Sequence, residues 1–388
     1  MRAPESPPGA LRIATVETPR QWRDFHHVPY RVYAGDSNWV PPLLLERRLH
    51  YSPKHNPFFQ HAKAAFWVAY RGGEPVGRIS AQIDALHLER YGDATGHFGS
   101  LEAVDDAEVF AQLLRTAESW LDGNGMRRTL GPVTFSMWDQ PGLLVEGFDT
   151  PPCVMMNHAR PYFARHIEVA GYKPIQDLLA YRFIVGEPFP PAVRRMIART
   201  RGREDVTVRP LRKTRQHFDE EVAIILDIMN DAWSDNWGFV PLTAAEIADL
   251  AGVLRLLLAP QDVAIAEHEG RPAAFCLIFP NLNEAIRDLG GRLAPFGWAK
   301  LFWRLMVKGT RTGRMPLMGV RKAYHASPLG AALALSVIEE IRAFHHRKGS
   351  EWGELSWILD QNERVKHIID LAGAKAYKRY RIYERTFA

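Results

Sequence analysis

Cysteine is nearly absent from this chain. Cys153 and Cys276 lie far apart, with the spacing of neither a zinc ligand set nor a redox pair. This excludes a disulfide framework and suits a reducing compartment. Long apolar runs are also missing. The longest uncharged stretch, 323–338, carries Pro328 and polar side chains and is too short to span a bilayer. The opening "MRAPESPPGA" has no apolar h-region, so no secretory signal is expected; residues 1–10 are expected to be disordered and the protein cytoplasmic. No compact His/Cys ligand spacing occurs, so no metal is expected. The pairs His26–His27 and His345–His346 read as surface residues. Finally, no acidic residue occurs from Leu289 to Ile338, while Arg292, Lys300, Arg304, Lys308, Arg311, Arg314, Arg321 and Lys322 all fall there. Either a solvated basic face or an anionic partner explains that asymmetry.

The remainder is the composition of an ordinary globular protein, 46% hydrophobic and 24% charged over 388 residues, with a net charge of +5. That length suggests two domains.

The chain reads as a duplication. "DSNWVPPL" at 36–43 echoes "SDNWGFVPLT" at 234–243, the hairpin-like 64–84 echoes 262–282, and "HIEVAGYK" at 166–173 echoes "HIIDLAGAK" at 367–375. The echoes keep their order and are too widely spaced for a solenoid. They divide the chain into a first copy over 11–185, a Pro- and Arg-rich linker over 186–205 and a second copy over 206–388. Each copy reads as a strand, one or two helices, a hairpin, a strand, a long helix, a strand, a helix and a last strand. The expected fold class is mixed α/β (α+β), a twisted mixed sheet flanked by helices in each copy.

In the second copy a strand at 317–324 leads into "HASPLGAALAL" at 325–335. A helix follows with Leu333, Val337, Ile341 and Phe344 on one face. The hairpin, this loop, the next strand "GELSWILD" at 353–360 and Asn362 opening a helix resemble the GNAT superfamily of N-acetyltransferases. Across nearly all of 12–388, "NWVPPLL", "NPFFQHA", "GRISAQID", "GHFGSLE", "GLLVEGFDTPP", "NWGFVPLT" and "FPNLNEAI" resemble a bacterial tandem-GNAT family that includes the ceramide synthases. The resemblance implies acyl-CoA as co-substrate and N-acylation of a long-chain sphingoid base. It also implies a pyrophosphate cradle of backbone amides at Ser327, Leu329, Gly330, Ala331 and Ala332, with Lys322 and Asn362 nearby. Unpaired N–H groups and the helix dipole make such a turn attractive to anions. The thioester oxygen would be held by a backbone N–H in the strand Val320–Tyr324. The other copy has "SLEAVDDAEVF" at 100–110, where Asp105 and Asp106 would repel phosphate. The active copy is therefore expected to be the second, with the first degenerate.

Amide formation needs a neutral amine, a stabilised thioester oxygen and a leaving thiolate. The base candidates are His325, Glu284 and Asp360. The family's usual acid, a Tyr seven residues after the helix-opening Asn, would fall at Ile369 and is missing. Tyr324, Tyr377 and Tyr383 are substitutes, and unassisted departure of the thiolate is the alternative.

The segment 293–311 sets a basic stripe of Lys300, Arg304, Lys308 and Arg311 against Trp298, Leu301, Phe302, Leu305 and Met306. A membrane-surface helix has this pattern, and so does a core-packed amphipathic helix. The former would put the protein on the inner face of a bacterial inner membrane. Acetyl transfer to a small amine, a transfer-RNA-dependent reaction and a non-catalytic lipid binder are the competing functions. No aromatic-basic nucleic-acid motif is present, so no nucleic-acid partner is expected. Oligomeric state is not read.

Overall fold

The computed structural model describes residues 9–387 except 215 and 326, so most of the expected disordered segment 1–10 lies outside the described residues. The described residues form two compact units, one of 9–178, 286–298 and 378–387, the other of 179–285 and 299–377. These boundaries do not coincide with 185 and 206.

The first stretch of chain runs β1 (Leu11–Thr15), α1 (Pro19–Val32), α2 (Leu44–His50), β2 (Ala62–Arg71), β3 (Glu74–Asp84), α3 (Ala85–Tyr91), β4 (Thr95–Ala103), α4 (Ala107–Gly123) and β5 (Arg128–Gly131). Short strands β6 (Val133–Thr134), β7 (Gln140–Pro141) and β8 (Leu143–Glu146) follow, then α5 (Tyr162–Val169) and β9 (Lys173–Ile184). The rest runs α6 (Pro191–Arg201), β10 (Val206–Pro210), α7 (Phe218–Trp233), α8 (Ala244–Leu257), β11 (Val263–His268), β12 (Arg271–Pro280), α9 (Leu282–Ile286) and α10 (Gly297–Trp303). It ends with β13 (Thr312–Val320), α11 (Pro328–Arg347), β14 (Trp352–Leu359), α12 (Glu363–Leu371) and β15 (Lys375–Thr386).

Pairing repeats in the two units. In the first, β1–β2, β2–β3 and β3–β4 are antiparallel and β4–β5 is parallel. In the second, β10–β11, β11–β12 and β12–β13 are antiparallel and β13–β14 is parallel. The long helices α4 and α11 each make the crossover between the parallel strands. Both expected hairpins, β2–β3 and β11–β12, are present.

Three sequence expectations change. The segment 186–205 is no slack linker, because Val193 and Ile197 of α6 join the second unit's core beside Leu333, Val337 and Ile341 of α11. The chain's last residues pair with the first unit, Tyr383–Thr386 of β15 running antiparallel to β5. His26 is buried in α1 rather than at the surface; burial, reinforced by Arg78, lowers its pKa to about 3.

Candidate acyl-CoA site in the second unit

The site is built where β13 and β14 part. Their ladder runs from Thr312 opposite Trp352 to Met315 opposite Leu355. Beyond it β13 continues to Val320 and β14 to Leu359. Pro316 follows the last rung and has no N–H with which to continue the ladder. On the other side of β13, Leu317 faces Leu277 and Arg314 faces Phe279, so Met315 and Pro316 stand opposite the single Ile278. This is a β-bulge, which bends the strand and re-aims its backbone. The Met318 carbonyl accepts the Trp233 indole N–H at 3.0 Å, and the Val320 carbonyl accepts from His325 Nε2 at 2.7 Å. Neither carbonyl is bonded to β12. The N–H of each residue points to the same side as its carbonyl, so the Met318 and Val320 amides face the slot that β14 leaves. The expected oxyanion strand Val320–Tyr324 is corrected by this geometry. Only Val320 is strand, and Lys322–Tyr324 form a 3₁₀ turn.

α11 begins at Pro328, ahead of Gly330. Ser327 is its N-cap; its hydroxyl accepts from the Gly330 amide at 3.1 Å and donates to the Tyr324 carbonyl at 2.9 Å. The Ser327 amide bonds the same carbonyl, and Pro328 has no N–H. Among the described residues, Leu329 is left with the unpartnered first-turn amide. Gly330 is required by close approach: a Cβ there would lie 2.2 Å from the Tyr324 carbonyl oxygen. Ala331 and Ala332 continue the turn, Ala332 buried. Asn362 caps α12 by accepting from the Val365 amide at 3.2 Å.

The polar candidates are occupied elsewhere. Lys322 holds Ser234 and Asp235 just beyond α7, at 2.6 and 2.5 Å, and its neighbour Arg321 pairs with Asp227. Both ring nitrogens of His325 are engaged: Nε2 donates to Val320, and Nδ1 accepts from Arg364 at 3.2 Å. This histidine braces the turn. Glu284 fastens the start of β13 through the Arg311 amide (2.9 Å) and the Thr312 hydroxyl. Tyr324 Oη meets His268 Nδ1 at 3.1 Å. Asp360 lies 3.6 Å from Lys366, Ile369 is core, and Tyr383 belongs to the first unit, where it bonds Glu168. Among the described residues, the group whose atoms could share a cation is Asp205, His268 and Glu269, and Asp205 is already bonded to Arg203.

Sequence reasoning placed Arg314 only in the basic run of 289–338, where it is buried rather than on a solvated face, and passed over Glu354 and Ser356. Arg314 and Glu354 are fully buried and face each other on the penultimate rung. Ser356 donates to Glu354 Oε1 at 2.6 Å and accepts from Arg314 Nε at 2.8 Å. Tyr377 donates to Glu354 Oε2, and Arg314 lies 4.2 Å over the Trp357 ring. The available signal was the alternation in "GELSWILD", which puts Glu354 and Ser356 on one face of a strand.

In the first unit the equivalent opening is filled by its own chain. The β4–β5 ladder ends at His97 opposite Leu130. The Ser100 amide then donates to Thr134 Oγ1 at 2.9 Å, and a Cβ on Gly99 would sit 2.4 Å from the Val133 carbonyl oxygen. Asp106 caps α4 through the Glu108 and Val109 amides, and Asp105 accepts from His166 at 2.6 Å.

No protein-family model matches the chain. It is 46% identical over 358 residues to Protein YghO of Escherichia coli (strain K12), covering 92% of this chain and 90% of that one. It is 42% identical over 377 residues to the Bacterial ceramide synthase of Caulobacter vibrioides (strain NA1000 / CB15N), covering 97% of each. Among solved structures it is similar to a tandem GNAT protein from the clavulanic acid biosynthesis pathway, with a TM-score of 0.58 at 11% identity over 97% of this chain and 98% of that one. It is also similar to a GCN5-related N-acetyltransferase from Sphaerobacter thermophilus, with a TM-score of 0.54 at 13% identity over 97% and 95%. These two carry the fold alone. The duplicated topology and the similarity along almost the full length of a curated relative lead to one assignment: the chain belongs to the tandem GNAT acyltransferase family of the Caulobacter ceramide synthase.

Proposed function

We propose that this protein transfers a long-chain acyl group from acyl-CoA to the amine of a sphingoid base, giving a ceramide-type amide. The observation that carries the reading is the end of the β13–β14 ladder beside the β13 bulge, together with the unpartnered Leu329 amide at the start of α11. The pantetheine arm would accept from the Met318 and Val320 amides, since their carbonyls are held by Trp233 and His325. The pyrophosphate would sit against the α11 N-terminus, favoured by the helix dipole. Because Arg321 and Lys322 are neutralised by acids of the α7 region, phosphate recognition would rest on backbone amides. In the reaction the neutral amine attacks the thioester carbon, and a slot-facing N–H stabilises the developing oxyanion. The sphingoid base as acceptor is supported by the relative's name, Bacterial ceramide synthase.

A membrane surface is the proposed partner. No helix among the described residues is long and apolar enough to cross a membrane. The 293–311 segment is a short α10 followed by a π-helical turn, Arg304–Lys308, closed by Gly309 at φ +71°. Phe296, Trp298, Phe302, Trp303, Met306 and Val307 are each more than half exposed. The expected basic stripe is partly spent, Arg304 on the Ala285 carbonyl and Arg311 on Glu351. Lys308 is exposed and suits an anionic leaflet, at about 1 kcal/mol.

Free-thiol release distinguishes the readings. Purified protein is given palmitoyl-CoA or acetyl-CoA, each with 3-ketosphinganine or a small amine. Release with palmitoyl-CoA and the sphingoid base is expected; release only with acetyl-CoA and the small amine would refute the proposal. For the membrane, cosedimentation with phosphatidylglycerol vesicles should be lost in Phe302→Glu. Wild-type protein staying in the supernatant would exclude this surface.

A further inference from the structure

We infer that one end of the second unit, where α6 begins, α11 ends and β13 and β14 start, is a docking face for an anionic lipid leaflet. The inference rests on the membrane reading above and extends it from the 293–311 segment to two other stretches of chain.

Three segments distant in sequence meet at this end. The Glu351 amide donates to the Arg311 carbonyl at 2.7 Å, and the Val185 amide donates to the Glu351 carbonyl at 3.0 Å. Arg342, in the last turns of α11, donates to the Val185 carbonyl at 2.9 Å. These bonds join the π-helical turn that ends at Lys308, the C-terminus of α11 and the entry to α6.

Two kinds of side chain stand at this end. Phe302, Trp303, Met306 and Val307 are each more than half exposed. Beside them Lys308 follows the π-turn, Arg347 and Lys348 close α11, and Arg194 and Arg195 lie in the first two turns of α6; all five are exposed. None of the five has a carboxylate partner among the described residues. Over 184–195, 302–312 and 344–352 the acids are Glu187 and Glu351, and Glu351 is spent on Arg311. The cations are therefore left largely uncompensated.

Protruding aromatic and aliphatic side chains call for an apolar phase, and cations around them call for anions at its rim. An anionic leaflet supplies both, and tryptophan is favoured at that boundary. A soluble polyanion would match the charge and leave Phe302, Met306 and Val307 in water. Docking also orients the site. α11 has 20 residues and is about 30 Å long, so its N-terminus and the CoA phosphates face away from the leaflet. The last rung of the β13–β14 ladder, Met315 opposite Leu355, is roughly 10 Å from the start of β13. The lipid tails then run from the reacting groups towards the leaflet.

The test compares full-length Arg194→Ala/Arg195→Ala and Arg347→Ala/Lys348→Ala with wild type by flotation on phosphatidylglycerol and phosphatidylcholine vesicles. Wild type is expected on phosphatidylglycerol and far more weakly on phosphatidylcholine. Each double variant should bind phosphatidylglycerol about thirtyfold more weakly, at about fivefold per cation removed, and keep wild-type thiol release in detergent. Arg271→Ala, at the opposite end of β12 from the Pro280–Gly313 pair, should bind vesicles as wild type. Both native cysteines are buried, so an environment-sensitive dye can be placed on Val307→Cys or Arg271→Cys. A blue shift on vesicles is expected at 307 and none at 271. Double variants that bind like wild type, an equal dye response at both positions, or equal binding to both lipids would overturn the docking face. So would variants that lose polyglutamate or nucleic acid while keeping vesicles, which would assign the cations to a soluble polyanion. Wild-type protein that stays off all vesicles would refute the membrane reading itself, and no thiol release with any amine would refute acyl transfer.

Discussion

Gly330→Ala separates two reasons for a glycine in the "SPLGAA" turn. If the glycine only lets phosphate approach, alanine should weaken CoA binding and leave the free protein as stable as before. The structure adds a second reason. The new Cβ would sit 2.2 Å from the Tyr324 carbonyl oxygen and 2.9 Å from its carbon. Backbone cannot swing aside as a side chain can, so the α11 N-terminus and the Lys322–Tyr324 turn must move apart by roughly 1 Å to reach ordinary contact. The separation strains the Ser327 hydroxyl and amide bonds to that same carbonyl, at 2.9 and 3.1 Å. Overpacking costs about 1–3 kcal/mol, and each weakened hydrogen bond adds about 0.5–1.5 kcal/mol. A loss of about 2–6 kcal/mol is expected before any ligand is added. The assay is urea denaturation of the free protein, with CoA affinity by calorimetry in parallel. Gly252→Ala is the control. It lies in α8 with nothing within 4 Å of a new Cβ, and alanine should stabilise the helix there by about 0.5–1 kcal/mol. A Gly330→Ala protein with the wild-type urea midpoint but weakened CoA binding would refute the packing argument and restore the phosphate-only reading.

Other outcomes follow from the same geometry. Lys322→Ala should leave CoA affinity within about twofold, because its charge is already spent on Asp235 in an exposed pair of the kind that contributes about 0–1 kcal/mol; a tenfold loss by calorimetry would return Lys322 to the phosphate site. His97 is buried on β4, and burial, with His87 beside it, lowers its pKa to about 3. The unfolded chain takes up that proton first as pH falls, so the histidine's contribution to stability is present above about pH 6.5 and lost towards pH 3, at about 1.4 kcal/mol per pH unit. His97→Phe should therefore give a shallower decline of unfolding free energy between pH 6.5 and 4.5, and parallel curves for the two proteins would refute this.

The sequence by itself determined whatever depends on neighbours along the chain. The duplicated order of elements, the two hairpins, the start of α12 at Asn362 and the apolar face of α11 were legible because turns, caps and helical periodicity are local. Comparison of "SPLGAA" with "AVDDAE" likewise separated an open helix entry from one capped by Asp106. Only the tertiary structure decided what those elements do together. His325, Glu284 and Lys322 have the right chemistry for a site, yet each is held by a partner that no spacing reveals: the Val320 carbonyl, the Thr312 hydroxyl and Asp235. Arg314 meets Glu354 because β13 and β14 are parallel in one register, and a shift of one residue would turn either side chain to the other face. The β13 bulge at Pro316 exists only relative to Ile278 on β12. The gap between β13 and β14 is a property of the pairing between distant strands, and that pairing is settled when the whole sheet finds its register.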